Sequence, residues 1–156
     1  MTEKKPLRIL GFYGYSASGK TTLLVKIIQR LVSEGARIAV VKQTDQSLSL
    51  DTPGKDTHQY SQAGAGLVVF SSETETDFLV RTYLEMPEII EKLLCMGDYD
   101  FLLIEGARDP SIPKIRLGDI TERENTLFTY TGDFEHLMHI IKQSKTQIWR
   151  CVNVRN

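Results

Sequence analysis

The chain has 156 residues, of which 25% are charged and 41% hydrophobic, as is typical of a single folded domain spanning 1–156. Its net charge of −1 gives no basic field for phosphate backbones, which argues against nucleic acid as a partner. Its apolar runs are far too short to span a membrane, and its first residues do not have the pattern of a secretion signal. We therefore expect a cytoplasmic location without membrane attachment.

The first elements in chain order predict a strand–helix–strand unit. The apolar run at 7–13 predicts a strand that stops at a glycine loop. Within 19–34 the apolar side chains recur at helical spacing, and Gly35 ends the helix. The run at 37–42, rich in β-branched residues, predicts a second buried strand. Because the order is strand, helix, strand, the two strands are expected to be parallel.

The rest of the chain continues the alternation of strands and helices. Residues 43–57 are polar and contain Pro53 and Gly54, which predicts a loop. In chain order we then expect a short helix at 56–64, strands at 66–71 and 77–81, a helix at 87–97, a buried strand at 100–106, an edge strand at 114–118, a strand at 125–130, and a helix at 133–143 with Asp133 as its N-cap. The tail after 143 carries no clear pattern. The predicted fold class is α/β.

A phosphate-binding loop joins the first strand to the first helix. Its sequence GYSASGKT matches the pattern G-x-x-x-x-G-K-[ST] in the setting that this pattern requires. Glycines let backbone N–H groups turn inward, and the helix N-terminus adds partial positive charge. Lys20 is expected to reach the β- and γ-phosphates, Thr21 to bind Mg²⁺, and Thr22 to contact the α-phosphate. The predicted nucleotide-binding residues are Gly14, Ser16, Ser18, Gly19, Lys20, Thr21 and Thr22.

Two acidic residues are candidates for the magnesium site beside this loop. Glu105 ends a buried apolar run, at the carboxyl end of a predicted central strand, where ligands bind in open α/β sheets. The alternative interpretation of Glu105 is a strand-end acid that faces solvent. Asp100, the competing acid, begins the same strand and so lies at the end away from the ligand-binding edge. Asp56 follows the second strand, where it would hold metal-bound water, orient the attacking water, or cap a helix. The predicted metal site is thus Thr21, Glu105 and Asp56, and the predicted catalytic set is Lys20, Asp56 and Glu105.

A cationic stretch follows Glu105 in the sequence. It contains Arg108, Lys114 and Arg116, and solvated loop charge is its ordinary interpretation. The functional interpretation is a site for a second anionic ligand. Arg108 is also placed to act as a charge clamp on the nucleotide.

The three histidines and two cysteines give weaker signals. His136 and His139 lie three residues apart on the last predicted helix, which alone is a poor metal site. His58 lies close to Asp56 in sequence, either beside the phosphates or in solvent. The cysteines lack the C-x-x-C spacing of a zinc site.

The base of the nucleotide is not specified by a local motif. The guanine signature [NT]-K-x-D is absent, because Lys42 and Asp45 in VKQTD are one residue too far apart. From the residues alone the prediction is therefore a magnesium–nucleoside triphosphate.

Three segments together resemble one family of P-loop proteins. They are GYSASGKTTLL, then VKQTDQSLSLDTPGKDTHQYSQAGA, then DYDFLLIEGARDPSIPKI. The chain is similar through them to the molybdopterin-guanine dinucleotide biosynthesis protein B (MobB) family, from about residue 8 to about residue 118. One departure is visible, since the family usually has Lys-His after the second strand and this chain has Lys42-Gln43.

The resemblance implies a P-loop NTPase three-layer fold, with a mostly parallel central sheet and helices on both faces. It also implies a homodimer that binds GTP with Mg²⁺, hydrolyses it weakly, and assists a MobA-type guanylyltransferase in attaching guanosine monophosphate to molybdopterin. The P-loop residues, Asp56 and Glu105 match family positions. Arg108, Lys114 and Arg116 then become candidate contacts for molybdopterin as a second ligand.

Two other functions remain open from the sequence. A small-molecule kinase would need an arginine-bearing lid to exclude water, and the stretch from Arg108 to Arg116 is short for that role. A nucleotide-gated metallochaperone would need clustered cysteines or histidines near the nucleotide.

Overall fold

The computed structural model describes residues 6–147. Contacts divide the chain into two compact units, a larger one formed by the parts before Asp45 and after Glu85, and a smaller one formed by Asp45–Glu85. The single domain expected for 1–156 stays a prediction. In chain order the elements are β1 (Leu7–Tyr13), α1 (Lys20–Ser33), β2 (Ile38–Lys42), α2 (Asp56–Gln62), β3 (Leu67–Ser71), β4 (Thr76–Val80), α3 (Met86–Met96), β5 (Phe101–Glu105), β6 (Lys114–Leu117), β7 (Thr126–Tyr130), α4 (Phe134–Gln143) and β8 (Thr146–Gln147).

The larger unit is built on a parallel sheet with the strand order β2-β5-β1-β6-β7. All four pairings along this order are parallel, and the two-residue β8 adds an antiparallel pairing at the start of β1. β1 and β5 lie at the centre, where both faces are covered, which is why their sequences are nearly continuous apolar runs. The predicted mostly parallel α/β sheet is confirmed.

Helices cover both faces of this sheet. On one face, Ile27 of α1 and Leu137 of α4 pack against strand side chains such as Phe12. On the other face, Ile90 of α3 packs against Ile9 and its neighbours on β1 and β5. Each fully buried aliphatic side chain contributes roughly 1.5–3 kcal/mol, so these two layers hold the carboxyl ends of the strands, and the loops after them, in fixed positions.

The position of β6 differs from the sequence prediction. The segment was expected to be an edge strand, but it pairs with β1 on one side and β7 on the other. The charged residues Lys114 and Arg116 made it look exposed. Lys114 is in fact fully buried, because backbone carbonyls accept its ammonium protons, as described below.

The smaller unit contains α2 and a two-stranded antiparallel sheet, β3–β4. Its buried polar centre is Asp51, which accepts hydrogen bonds from Thr57 Oγ1 at 2.8 Å and from the Arg81 guanidinium. This side chain ties the start of the loop 51–57 to its end. Among the described residues of the whole chain, no helix is long and apolar enough to cross a membrane.

Candidate functional site

The loop between β1 and α1 has the backbone of a phosphate-binding cradle. Gly14 cannot carry a side chain there, because a Cβ would lie 2.6 Å from the Leu117 carbonyl oxygen and 2.8 Å from Ser18 Oγ. Gly19 adopts a left-handed φ of 83° and is the N-cap of α1. Glycine adopts that conformation at little cost, so the sequence pattern is explained by close approach at Gly14 and by backbone conformation at Gly19.

Lys20 is the first residue of α1 and its ammonium group lies over the loop. Its Nζ donates to the carbonyl oxygens of Gly14, at 2.9 Å, and Tyr15, and lies 3.4 Å from Ser18 Oγ. The amine therefore lies inside the curve of the loop, where oxygen acceptors surround a positive charge. This is the location from which a lysine neutralises phosphate oxygens.

Thr21 and Glu105 meet although 84 residues separate them. The Thr21 hydroxyl lies 3.3 Å from both carboxylate oxygens of Glu105, and Lys42 Nζ lies 4.0 Å from Glu105 Oε1. Parallel pairing of β1 with β5 brings the end of β5 beside the loop. A hydroxyl and a carboxylate are the hard oxygen donors that Mg²⁺ prefers, so this pair fits a magnesium ion.

The turn after Glu105 is tightly constrained. Gly106 has a φ of 80°, and a Cβ there would lie 2.5 Å from the Gln43 carbonyl oxygen. The Gly106 N–H donates to the Phe12 carbonyl at 2.8 Å, and the Gln43 N–H donates to that of Glu105 at 2.9 Å. These bonds fix the Glu105 backbone between its two neighbouring strands. The E-G pair of the sequence is thus explained by the turn as well as by the carboxylate.

Asp56 belongs to the smaller unit, where it is the first residue of α2 and is exposed. Lys55, not Asp56, occupies the N-cap position, so the capping alternative for Asp56 is wrong. Its participation in the metal site and in catalysis stays a prediction.

Asp51, the buried acid of the smaller unit, was not among the predicted site residues. Its side chain is only 2% exposed, and His58 Nδ1 lies 3.9 Å from it. His58 therefore faces this carboxylate. The available signal was the first position of the run DTPGKDT, in which an aspartate two residues before Pro-Gly indicates an anchored turn.

Lys114 does not fit the predicted site for a second anion. The side chain is fully buried, and its Nζ donates to the carbonyl oxygens of Asp109, Ile112 at 2.7 Å and Glu124 at 3.0 Å. All three ammonium protons are used. Burial lowers the pKa of Lys114 below its ordinary value, while the charge of Asp109 opposes that shift. This lysine joins the loops around β6 and does not present a cation to a ligand.

The two arginines of the same stretch occupy different surroundings. Arg116 is partly buried, and its Nε donates to Thr129 Oγ1 at 3.0 Å on the neighbouring strand. Arg108 is exposed in the loop directly after the turn at Gly106. Arg108 is therefore the better placed of the two to contact a ligand from solvent.

Arg123 is an unpredicted cation near the same loop. Its guanidinium stacks 4.8 Å from the centre of the Tyr13 ring, and its Nη1 donates to the Ala107 carbonyl at 2.7 Å. It links the end of β1 to the loop after β5. The sequence gives no signal for this role, because it depends on two loops meeting.

The late histidines do not form a metal site with their neighbours. The His136 ring packs edge-on against Phe128, and its backbone N–H donates to Asp133 Oδ1 at 3.0 Å. Asp133 is therefore the N-cap of α4, as the sequence predicted. Within the part of the chain that the structure describes, no group of three histidine, cysteine, aspartate or glutamate residues is arranged to hold a metal.

Comparison with known proteins agrees with the geometry of the loop and sheet. The family model "Molybdopterin guanine dinucleotide synthesis protein B" (MobB) matches residues 9–143. The molybdopterin-guanine dinucleotide biosynthesis adapter protein of Haemophilus influenzae is 34% identical over 112 residues, which cover 70% of this chain and 62% of that protein. The protein of the same name from Escherichia coli is 32% identical over 120 residues, which cover 75% of this chain and 69% of that protein. The match thus spans less than two thirds of the Haemophilus relative.

Solved structures show the same fold. The crystal structure of Bacillus subtilis MobB superposes with a TM-score of 0.69 at 20% identity, covering 90% of this chain and 99% of that one. A second MobB crystal structure superposes with a TM-score of 0.60 at 25% identity, covering 86% and 96% of the two chains. The P-loop NTPase-like α/β fold expected from the sequence is confirmed. On the family model and these relatives, the chain belongs to the molybdopterin guanine dinucleotide synthesis protein B (MobB) family.

Proposed function

We propose that this protein binds Mg²⁺-GTP and acts as an accessory protein in the attachment of guanosine monophosphate to molybdopterin. The observation that carries the proposal is the meeting of Thr21 with Glu105 beside the loop that holds Lys20. A cation for the phosphates and two oxygen donors for the metal then lie together, in the first turn of α1 and at the adjacent end of β5. Membership in the MobB family supports molybdenum cofactor biosynthesis as the setting.

The residues of the larger unit would share the work of holding the nucleotide. Inward N–H groups of the loop would bind the β-phosphate, and Lys20 would neutralise the β- and γ-phosphates. Thr21 would bind Mg²⁺ directly, and Glu105 would hold metal-bound water. When bound, the metal would supply positive charge that neutralises the phosphates.

Weak GTP hydrolysis is part of the proposal. Asp56 is an exposed carboxylate at the end of a loop that Asp51 anchors through Thr57, and we assign it the role of orienting the attacking water. Asp56→Asn should then lower GTP turnover about tenfold or more while GTP affinity stays within about twofold. Equal losses in turnover and affinity would show that Asp56 acts in GTP binding and not in catalysis.

The accessory role is tested with a partner enzyme. Purified molybdopterin guanylyltransferase of the MobA type would be assayed with molybdopterin and Mg²⁺-GTP, with and without this protein. We expect a higher rate of dinucleotide formation with the wild-type protein, no stimulation with Lys20→Ala, and full stimulation with Lys92→Ala, an exposed lysine on α3. Stimulation that survives Lys20→Ala would show that nucleotide binding by this chain is irrelevant to the partner.

A homodimer through the smaller unit is also proposed. On one face of β3–β4, Leu67 is paired with Val80 and Val69 with Phe78, and these four apolar side chains are 42–53% exposed. An isolated two-stranded sheet is only marginally stable, and an exposed apolar face of this kind is typical of a surface that binds another protein chain. A second copy offers the same face under two-fold symmetry.

Phe78→Asp should yield monomers by analytical ultracentrifugation and Thr74→Asp, in the hairpin turn, should not. Monomeric wild-type protein would contradict this interface.

Of the three cations predicted to contact molybdopterin as a second ligand, we propose only Arg108. Its exposure and its position just after the turn at Gly106 support a contact with an anionic group. Arg108→Gln should reduce molybdopterin binding without changing GTP affinity. Unchanged molybdopterin affinity would remove the cationic loop from the proposed site.

A further inference from the structure

Lys42 is the last residue of β2, the strand next to β5 in the larger unit, and it has no part in the function proposed above. The two strands pair in parallel with Lys42 opposite Glu105. The pairing continues beyond Lys42, because the Gln43 N–H donates to the Glu105 carbonyl at 2.9 Å. Side chains of residues paired in register project to the same face of a sheet. The backbone thus holds the Lys42 and Glu105 side chains side by side.

The Glu105 carboxylate lies between the Thr21 hydroxyl and the Lys42 ammonium group. Thr21 Oγ1 lies 3.3 Å from both carboxylate oxygens, and Lys42 Nζ lies 4.0 Å from Oε1. In the sheet, β1 leads into the P-loop, β5 comes next, and β2 lies beyond β5. Neighbouring strands are about 4.8 Å apart. Lys42 therefore places a positive charge on the far side of Glu105 from the P-loop, within the reach of a ligand that contacts both.

The contact between Lys42 and Glu105 is loose. The Lys42 side chain is 69% exposed, whereas that of Glu105 is 14% exposed. An ion pair at 4.0 Å with an exposed lysine contributes little to stability. Its flexible stem can therefore carry the ammonium group to a stronger anion at little cost. A lysine on an edge strand such as β2 is common because it discourages aggregation, but that role does not require a position opposite Glu105.

The proposed metal site sets the direction of a bound triphosphate relative to β2. A metal ion beside a P-loop bridges oxygens of the β- and γ-phosphates. Its proposed donors, Thr21 and Glu105, meet on the β5 side of β1, so the γ-phosphate is expected on that side. There it would lie close to a carboxylate of the same charge sign, which repels it. A second cation next to Glu105 offsets this repulsion, and Lys42 is in that position.

We propose that Lys42 is a second phosphate-binding cation, which contacts the γ-phosphate of the bound nucleotide and makes the site prefer a nucleoside triphosphate over a diphosphate. Lys20 reaches the β-phosphate, which both nucleotides carry, whereas Lys42 lies beyond the end of a diphosphate. The inference rests on the proposed function for the presence of a nucleotide. It goes beyond that function by assigning recognition of the terminal phosphate to the end of β2.

The test compares GDP with β,γ-imido-GTP, a triphosphate that is not hydrolysed, by calorimetric titration in the presence of Mg²⁺. Wild-type protein should bind the triphosphate at least about tenfold more tightly. Lys42→Gln should reduce that preference about tenfold and leave GDP affinity within about twofold. Lys42→Arg keeps the charge and should retain the preference within about threefold. Lys92→Gln, at an exposed lysine of α3, is the matched control and should behave as the wild type does.

The outcomes separate this inference from the proposed function. An unchanged preference for the triphosphate in Lys42→Gln would overturn the role of Lys42 alone. Equal losses of triphosphate and GDP affinity would also overturn it, because they would indicate a general effect of charge and not a contact with the γ-phosphate. If the wild-type protein bound neither nucleotide, the proposed function would fail as well.

A chemical experiment on the wild-type protein removes the dependence on how the variants fold. Brief acetylation with acetic anhydride, followed by mass spectrometry of peptides, measures how far a bound ligand covers each lysine. With Mg²⁺ present, both GDP and β,γ-imido-GTP should protect Lys20, only β,γ-imido-GTP should protect Lys42, and neither should protect Lys92. Equal acetylation of Lys42 in the two complexes would overturn the inference. Full acetylation of Lys20 in both would overturn the proposed function.

Discussion

At the scale of residues, Lys20 and Lys114 have opposite roles. Lys20 lies at the open mouth of the loop, where its hydrogen bonds to Gly14 and Tyr15 can be exchanged for bonds to phosphate oxygens. Lys114 is enclosed, and its three protons satisfy carbonyl groups that would otherwise be buried without donors. Lys20 is thus the proposed contact for a ligand, whereas Lys114 joins the loops around β6 from inside the protein.

Lys114→Met should destabilise the protein without altering nucleotide binding directly. The change keeps the length of the side chain but removes three donors, and we expect a loss of about 2–4 kcal/mol in the free energy of unfolding. Urea denaturation at near-neutral pH measures it, with Lys92→Met as the exposed control. A loss no larger than that of the control would contradict the buried role.

The same variant gives a test by pH. Because burial lowers the pKa of Lys114 in the folded state, the unfolded chain holds this proton more tightly between the lowered pKa and about 10.5. The free energy of unfolding of the wild type should therefore rise with pH through that window, relative to Lys114→Met. A difference between the two proteins that shrinks as the pH is raised toward about 10 would contradict the pKa direction.

Glu105→Gln should weaken the dependence of nucleotide binding on magnesium. The amide keeps the shape of the side chain and loses the charge that attracts Mg²⁺ and its bound water. GTP affinity in the presence of Mg²⁺ should fall about tenfold, while affinity without Mg²⁺ stays within about twofold. Calorimetric titration with and without the metal decides this, and equal losses in both conditions would remove Glu105 from the metal site.

The residues near the loop were predictable from sequence to different degrees. The roles that depend on local pattern, such as the glycines of the loop and the acid at the end of β5, are visible because strand, loop and helix are adjacent in sequence. The structure places Glu105 against Thr21 as expected. Arg123 was missed because its contacts join segments that sequence spacing does not relate. Asp51 was missed although the run DTPGKDT carried a local signal, and its contact with Arg81, 30 residues away, could not be read from the sequence.

At the scale of elements, the alternation of apolar strands and amphipathic helices identified the described elements of the larger unit except the short β8. The apolar spacing of α1 and the N-cap Asp133 of α4 are local features, so their bounds lie within a residue or two of the prediction. The neighbours of a strand in the sheet are not local features. The interior position of β6 was therefore missed, and charged residues in its sequence favoured the wrong interpretation.

Gly14→Ala tests the contact between the P-loop and β6. The new methyl group would meet the Leu117 carbonyl at 2.6 Å, so the loop must shift, at a cost of about 1–3 kcal/mol. The displaced N–H groups should then bind phosphate less tightly. Gly66→Ala is the matched control, because a Cβ at Gly66 meets nothing within 4 Å.

Thermal unfolding and tripolyphosphate titration measure the two effects of Gly14→Ala. The variant should lose both stability and affinity, whereas the control should lose neither. A fully stable Gly14→Ala protein with normal affinity would show that the loop has room for a side chain.

At the scale of the whole molecule, the two units divide the proposed tasks. The larger unit supplies the P-loop and the proposed metal-binding pair, Thr21 and Glu105. The smaller unit supplies the anchored loop that carries Asp56 and the apolar face of β3–β4. Membership in the MobB family supports the proposal that these parts act in molybdenum cofactor biosynthesis, a connection that the physics of a phosphate loop alone does not provide.

Binding of Mg²⁺-GTP by the loop is tested by calorimetric titration of the purified protein with GTP and with ATP, each with and without Mg²⁺. Lys20→Ala, checked for its fold by circular dichroism, serves as the protein without a functional loop. We predict magnesium-dependent binding that favours GTP by at least about tenfold, or about 1.4 kcal/mol, and is lost in Lys20→Ala. Equal affinity for the two nucleotides, or a preference for ATP, would contradict the guanine assignment and favour a kinase.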